Sequence, residues 1–409
     1  MAPGKKHIVR LVLFLLALAF AVGSFTFGVM SFVHRESGWY EVNPTVEAAA
    51  VTYSSGIHLL YHVEGGSSAI RQELNAVQKA YSEILLRCHK MLDAKNEYDD
   101  VVSIAAIAAA EGEPVVIGEA LYGVLCDALA KTDENLGYSM FDGALWREWE
   151  TLLYLDEPAG FDPANNADEA ERMAALAGAA GRRALFELTL SPEDGYTAAF
   201  STAQAYREIE AEWEIDAPAL DLNVLREAYL LQLTAREMTR QGLTNGYLYA
   251  DSGLTALMDC ENVFHFDLFG WADGTPTGIG SLAANGPTVF CQFTAFSPAE
   301  EKYGRYAVET AKDTLLRHPL FDARTGGFHD VLMSAVLASD TRDAVDLAYE
   351  VIVLNALDSR GAVEARLAAA DADTAAVWTW QDDTPKAVHM NAAAAACVTA
   401  QEGTAVVIH

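Results

Sequence analysis

The residues best suited to chemistry lie in the segment 317–327, where an acid, a cation and a hydroxyl precede two glycines. Asp322, Arg324 and Thr325 stand directly before Gly326 and Gly327. Glycine permits a sharp turn or a close approach of the backbone, and Asp and Thr side chains bond to the amides of such a turn. The segment therefore predicts either a capped surface turn or a loop that brings these groups to a binding site.

The apolar pattern predicts the elements that must position this segment. Residues 68–94 carry apolar side chains in steps of three and four, which predicts a helix, and 57–63 is predicted as a short strand. A second helix is predicted after Leu220-Asp221-Leu222, ending at Gly242, and a third over 341–357 with Asp340 as its cap. Further strands are predicted at 247–250, 263–269, 289–294, 376–380 and 404–408. This mixture predicts an α+β domain of mixed sheets flanked by helices.

The composition excludes some classes of function. The chain has 409 residues, of which 51% are apolar, so it can fill a core and is neither disordered nor fibrous. Its formal net charge is -31, from 27 basic and 58 acidic residues. Contacts to phosphates of nucleic acid need clustered Lys and Arg, so nucleic acid is not expected as a partner.

The N-terminal segment indicates export. Lys5, Lys6 and Arg10 precede an uncharged run over 11–33, which at about 1.5 Å per residue is long enough to cross a hydrocarbon core of about 30 Å. The basic residues predict a cytoplasmic N-terminus at 1–10 and a main domain outside the cell membrane. The alternative is a cleaved signal peptide, because Ala19-Phe20-Ala21 has the form of a cleavage site. We predict a single-pass anchor at 11–33, a polar linker at 34–51 and an extracytoplasmic domain at 52–409.

Taken in order, these landmarks resemble the FAD:protein FMN transferase family, also called the ApbE family, over roughly residues 68–409. Leu220-Asp221-Leu222, the helix after it and Gly242 are similar to the family's Leu-Asp-Leu-Gly and Ala-Lys-Gly segment. Asp251-Ser252-Gly253 stands where the family has a Gly-Gly-Asn or Gly-Gly-Asp turn, and Thr294-Ala295-Phe296 where it has Thr-Ser-Gly. The segment 322–326 is similar to the family's Asp-Pro-x-Thr-Gly. The order and spacing of these pieces carry the resemblance.

The resemblance implies a fold, a substrate and a reaction. Family members hold FAD in a cleft, use magnesium to neutralise its pyrophosphate and move FMN onto a threonine of an exported redox protein, with release of AMP. Divalent metals stabilise phosphoryl transfer in this way in general. The resemblance thus implies a flavin-acceptor redox protein at the membrane as the partner. It also implies flavin-binding roles for six residues, namely Asp221, Gly253, Thr294, Asp322, Thr325 and Gly326.

Several positions depart from the family pattern. Val345 and Tyr349 replace the metal-binding Asp and Thr, although Mg²⁺ requires hard oxygen ligands. Glu227 stands where the Lys of Ala-Lys-Gly is expected. Pro319 replaces the family's His, Asn223 replaces the Gly of Leu-Asp-Leu-Gly, and Ala108 stands where an Asn is usual.

Two features offer replacements for the missing groups. Asp346 and Glu350 have the i, i+4 spacing of the family's metal ligands, so a shift of the helix by one residue would return two oxygen ligands to one face. His318 is one residue from the expected histidine and becomes the catalytic candidate if Pro319 bulges the chain. The alternative for His318 is an exposed side chain beside a proline turn.

The resemblance therefore implies, as the first hypothesis, an FAD:protein FMN transferase that flavinylates a partner covalently. A second hypothesis is a non-catalytic relative that binds a flavin or a protein partner at the membrane surface. A third is an exported α+β binding protein unrelated to the family.

Overall fold

The computed structural model of the protein describes residues 36–132, 136–193, 195–258, 261–272, 275–296, 304–370, 372–380 and 387–409. Within these ranges the chain has the predicted α+β architecture, with strands and helices distributed along the whole domain. The predicted cytoplasmic segment 1–10 and the anchor or signal peptide at 11–33 lie outside the described residues. No helix in the described ranges is long and apolar enough to cross a membrane.

The strands of the described residues include all six predicted ones and many that the sequence pattern did not predict, among them the central strand at 332–339. They are β1 (Gly38–Glu41), β2 (Ile57–Val63), β3 (Val115–Val116), β4 (Phe186–Ser191), β5 (Thr197–Thr202), β6 (Gly246–Ala250), β7 (Leu254–Met258), β8 (Phe264–Ala272), β9 (Thr275–Ala284), β10 (Val289–Thr294), β11 (Tyr306–Glu309), β12 (Thr314–Arg317), β13 (Leu332–Ser339), β14 (Thr374–Trp380), β15 (Ala387–Met390), β16 (Val398–Ala400) and β17 (Ala405–Ile408).

The helices include all three that the apolar pattern predicts. They are α1 (Val46–Ser55), α2 (Ser67–Met91), α3 (Ile104–Ala109), α4 (Glu119–Lys131), α5 (Gly143–Tyr154), α6 (Ala167–Ala180), α7 (Gln204–Glu212), α8 (Arg226–Arg240), α9 (Ala344–Asn355) and α10 (Arg360–Ala368). Short 3₁₀ turns lie at Pro158–Gly160, Arg183–Leu185, Asn223–Leu225 and Ala394–Ala396.

A mixed sheet of nine strands organises the described part of the chain. Its order is β1-β2-β6-β7-β10-β13-β14-β15-β17, antiparallel throughout except for the parallel pair β15–β17. Smaller sheets have the orders β16-β9-β8, β3-β5-β4 and β11-β12. The mixed sheet flanked by helices agrees with the fold class predicted from the sequence.

The central strands are buried on both faces, which explains their continuous apolar sequences. In β13 the side chains of Ala335 and Leu337 enter the core beneath α9, whereas Val336 and Ala338 enter a second core against β8 and β9. Alternate residues of a strand point to opposite faces, so one strand supplies both layers. β13 is therefore packed between two layers, one of which contains α9.

The predicted linker at 34–51 is wrong in its described part. β1 pairs with β2 at the edge of the nine-stranded sheet, and α1 buries Ala48 and Val51 against α2. The sequence pattern did not predict the short edge strand β1, because the segment 34–51 is polar. Edge strands have one unpaired side and need few apolar residues. The folded domain therefore begins before residue 52.

The start of α9 also differs from the prediction. Asp343, not Asp340, caps this helix, and its carboxylate accepts a hydrogen bond from the Asp346 amide at 3.0 Å. The hydroxyl of Ser339 accepts hydrogen bonds from the amides of Thr341 and Arg342, which forms a turn before the helix begins. This turn delays the helix by three residues relative to the predicted start at 341.

Candidate functional site

The first group of polar residues lies where the start of α8 meets the turn between β6 and β7. Ser252 in that turn donates a hydrogen bond to the Glu227 carboxylate at 2.6 Å. Glu227 is half-buried, and burial, assisted by the nearby Asp251, raises the pKa of its carboxyl to about 7. A carboxyl with a pKa near neutral can take up or release a proton under ordinary conditions.

A cation lies close to this carboxyl. Arg305 donates from Nε to the carbonyl oxygen of Thr294 at 2.8 Å. Burial lowers the pKa of Arg305 to about 10, while the nearby Tyr154 and Glu227 act in the opposite direction. The Tyr154 hydroxyl also lies beside Gly304, where an added Cβ would approach it to 3.1 Å. Glu227, Ser252, Thr294, Arg305 and Tyr154 thus form one site, called here the Glu227–Arg305 site.

Two residues with predicted flavin-binding roles lie at the edge of this site. Gly253 has a φ of +102°, and an added Cβ would lie 2.2 Å from the carbonyl oxygen of Gln292. The glycine is therefore required by the close approach of the turn to β10. The Thr294 hydroxyl donates a hydrogen bond to the carbonyl of Phe296 at 2.7 Å. The Thr294 side chain therefore stabilises the chain at the end of β10.

His318 lies next to the Glu227–Arg305 site and is buried, not exposed. Its ring packs edge-on against Phe293 and Phe328, with ring centroids 4.9 and 5.1 Å away. Its Nδ1 accepts a hydrogen bond from the amide of Leu320 at 3.3 Å. Burial and the neighbouring arginines lower the pKa of His318 to about 3, so the imidazole is neutral and a weak base. The exposed alternative from the sequence is wrong.

Asp322 closes a turn instead of facing open space. Its carboxylate is fully buried and accepts from the Arg324 amide, Nε and Nη2 at 2.8–2.9 Å, and from His329 Nε2 at 3.0 Å. Burial acts to raise the pKa of Asp322, but the bonds from Arg324 and His329 lower it further than burial raises it. Arg324 also donates to the carbonyl of Ala356 at 2.6 Å, which attaches the turn to the end of α9.

The rest of the turn matches the capped-turn interpretation. Thr325 is exposed, and its hydroxyl accepts a hydrogen bond from the Gly327 amide at 3.2 Å. Gly326 has a φ of +69°, and its carbonyl accepts from Trp149 Nε1 at 2.9 Å. The flavin-binding roles implied for Asp322, Thr325 and Gly326 remain predictions.

Asp221 belongs to a buried acidic cluster before α8. Its carboxylate accepts a hydrogen bond from the Asn223 amide at 2.9 Å, and the Asn223 side chain donates to the Ser139 carbonyl and to Asp142. Asn223 has a φ of +42°, a left-handed conformation that asparagine tolerates better than most residues. Burial and Asp221 raise the pKa of Asp142 well above its usual range. The implied flavin contact of Asp221 also remains a prediction.

The predicted metal pair does not form a metal site. Asp346 lies 2.8 Å from Lys131 Nζ, and Glu350 accepts two hydrogen bonds from Arg366 at 2.7 and 2.8 Å. Basic side chains therefore occupy the oxygens that a cation would need. In the ranges that the structure describes, no cluster of three or more His, Cys, Asp or Glu residues could hold a metal ion. These residues do not fit magnesium.

The turn around Asp322 and the predicted metal ligand Asp346 are also separated along α9. Asp322 reaches the end of this helix through Arg324 and Ala356, whereas Asp346 lies in its first turn. Ten residues of helix span about 15 Å.

The sequence pattern missed the contribution of Arg305, and it treated Glu227 only as the loss of a lysine. A usable signal was the burial of Glu227 implied by the apolar face of α8.

The fold of the described residues is similar to that of solved ApbE proteins. The ApbE protein of Thermotoga maritima has a TM-score of 0.55 to this chain at 11% sequence identity, covering 89% of this chain and 97% of that one. Flavin transferase ApbE from Vibrio cholerae has a TM-score of 0.53 at 12% identity, covering 85% and 95%. No protein-family model and no curated protein sequence matches the chain. The resemblance predicted from the sequence is thus confirmed at the level of the fold.

Proposed function

We propose that this protein is a flavin transferase that binds FAD and transfers FMN to a threonine of a partner redox protein. The observation that carries the proposal is the likeness in fold to ApbE proteins over nearly the full length of both chains. The Glu227–Arg305 site also supports the proposal. It contains a proton acceptor, Glu227, and a cation, Arg305, beside the turn at Gly253 where the resemblance implies a flavin contact.

The proposed reaction has a clear requirement for both groups. The threonine oxygen attacks the phosphorus of the FMN half of FAD, the bond from that phosphorus to AMP breaks, and AMP leaves. The hydroxyl proton needs an acceptor, and Glu227 has a pKa of about 7, whereas His318 has a pKa of about 3. General bases work best when their pKa lies near the working pH, so Glu227 is the better acceptor. Arg305 offers positive charge to the phosphates.

A non-catalytic flavin- or partner-binding relative is the second candidate. The ion pairs of Asp346 and Glu350 favour it, because they occupy the carboxylates that were expected to bind magnesium. We also propose that the protein acts at the cell membrane, with the uncharged segment 11–33 as its anchor and the acceptor protein on the outer side.

A transfer assay separates the two candidates. The full chain is incubated with FAD and a flavin-acceptor protein, with and without Mg²⁺, and the acceptor is weighed by mass spectrometry. We expect a mass increase equal to one FMN, lost in Glu227→Gln and retained in Glu83→Gln, a control on the exposed face of α2. FAD binding seen by fluorescence without any mass increase supports the non-catalytic relative. Absence of both binding and transfer contradicts both candidates.

A further inference from the structure

Lys131, the last residue of α4, places its ammonium between carboxylates of two different helices. Its Nζ lies 2.7 Å from Asp127 on α4 and 2.8 Å from Asp346 on α9, and the side chain is only 12% exposed. The same nitrogen lies 5.7 Å from the centroid of the Tyr349 ring, within the range of a cation–π contact. Two acids and an aromatic face thus enclose one fixed positive charge.

The enclosed ammonium joins three helices. The second oxygen of Asp127 accepts a hydrogen bond from the Tyr229 hydroxyl of α8 at 2.6 Å. The chain of contacts runs from α8 through Asp127 and Lys131 to Asp346 in the first turn of α9. Charge-assisted hydrogen bonds of this kind are stronger than neutral ones, and partial burial limits their screening by salt. Removing the ammonium would leave two carboxylates facing each other.

We propose that the Lys131 ammonium takes the place of a divalent cation at the start of α9, so that the protein holds these helices together without bound metal. The oxygens it contacts, from Asp127 and Asp346, are the hard ligands that a divalent cation would use. Tyr349 and Val345 stand at the positions where the resemblance expects metal ligands, and the Lys131 ammonium lies over the ring of Tyr349. A bound ion would first have to displace a lysine that both acids already contact.

The proposal also has a consequence for the reaction. Two carboxylates and one ammonium leave a formal charge of one negative, so this cluster joins helices and does not attract phosphate. Any transfer of FMN is then independent of magnesium. That consequence rests on the proposed function, whereas the replacement of a cation by Lys131 rests on the geometry and on the resemblance and does not require any transfer of FMN.

Thermal unfolding of the full chain tests the replacement. For the wild type we expect the same midpoint in EDTA and in excess MgCl₂. Lys131→Met keeps most of the side-chain volume but removes the charge, so we expect a lower midpoint in EDTA. MgCl₂ should then raise that midpoint by about 3 °C or more, because the freed carboxylates become ligands for the added ion. The response should disappear again in Lys131→Met combined with Asp346→Asn.

Lys90→Met is the matched control. Lys90 also contacts a carboxylate at 2.8 Å, that of Asp100, and among the described residues no acid of a second helix is paired with it. The unfolding midpoint of Lys90→Met should not change when MgCl₂ is added. A wild-type midpoint that falls in EDTA and recovers in MgCl₂ would overturn the proposal. So would a Lys131→Met variant that responds no more than Lys90→Met. If Lys131→Met fails to fold in EDTA, refolding in MgCl₂ decides in the same way.

The transfer assay distinguishes this inference from the proposed function. Equal transfer in EDTA and in Mg²⁺ supports both, and transfer only in Mg²⁺ contradicts the metal-independent reaction. No transfer in either condition counts against the proposed function, and the unfolding midpoints then decide the role of Lys131 alone.

Discussion

Asp322→Asn tests whether the acid in the glycine turn is a structural anchor or a flavin ligand. The substitution keeps the shape of the side chain but replaces one carboxylate oxygen by an NH₂ group. That group would face Arg324 or His329, which are themselves donors. The turn would lose its ion pair and gain an unfavourable contact between donors.

The expected loss follows from the burial of the pair. Breaking a buried ion pair by removing one partner costs about 3–5 kcal/mol. Asp322 is fully buried, but the Arg324 side chain is 35% exposed and can turn towards water. We therefore expect the lower end, about 3 kcal/mol of unfolding free energy. That is a large part of the stability of about 5–15 kcal/mol usual for a folded domain.

Urea unfolding at neutral pH, followed by tryptophan fluorescence and circular dichroism, measures this loss. Trp149 is a local probe, because its indole donates to Gly326 and packs on Phe328, 4.6 Å between ring centroids. Glu83→Gln is the control, since Glu83 forms an exposed pair with Lys79 at 3.8 Å, and its loss should stay below about 1 kcal/mol.

Two results would refute the structural role. The first is an unfolding free energy of Asp322→Asn equal to that of Glu83→Gln. The second is a folded Asp322→Asn protein of nearly wild-type stability that binds FAD at least about tenfold more weakly, equivalent to about 1.4 kcal/mol. That outcome would restore Asp322 as a flavin ligand, as the sequence implied.

Two further predictions concern the Glu227–Arg305 site. Gly253→Ala would place a Cβ 2.2 Å from the Gln292 carbonyl at a φ of +102°, so it should lower the unfolding free energy by about 1–3 kcal/mol in urea unfolding. If Gly253→Ala left the unfolding free energy unchanged, the close approach of the turn to the Gln292 carbonyl would be contradicted. The pKa of Glu227 is raised from 4.5 to about 7, so the folded protein holds this proton more tightly than the unfolded chain does. Stability should therefore fall as the pH rises from about 4.5 to about 7. Glu227→Gln should remove that fall in urea midpoints across the interval, and an unchanged slope would disprove the assignment.

Local patterns predicted the elements of the fold well. Apolar steps of three and four identified α2, and apolar runs identified five of the nine strands of the large sheet, because these signals depend on neighbours a few residues away. The pattern did not identify β7, β13 and β15. The edge strand β1 was missed, since its place depends on pairing with β2 and not on its own composition. The cap of α9 was misplaced because Ser339 forms a turn that the sequence did not reveal.

The chemistry of the site was harder to predict, because it depends on long-range partners. The spacing of Asp346 and Glu350 correctly indicated one helix, but Lys131, which pairs with Asp346, lies 215 residues away along the chain. The residues next to His318 in the sequence do not indicate that it is buried, and those next to Glu350 do not indicate its pairing with Arg366. A titratable residue was easy to find, whereas its pKa required the surrounding fold.

The order of strands in the large sheet bears on how the protein is built. From β1 to β17 the position in the sheet follows the position in the chain without a reversal. A polypeptide that emerges N-terminus first can therefore add each strand to the growing side of the sheet, with the earlier strands already in place. At about 4.8 Å per step the eight steps carry the chain about 38 Å from one edge to the other. A sheet assembled in this order would grow at one edge only, and β17 would be its last strand.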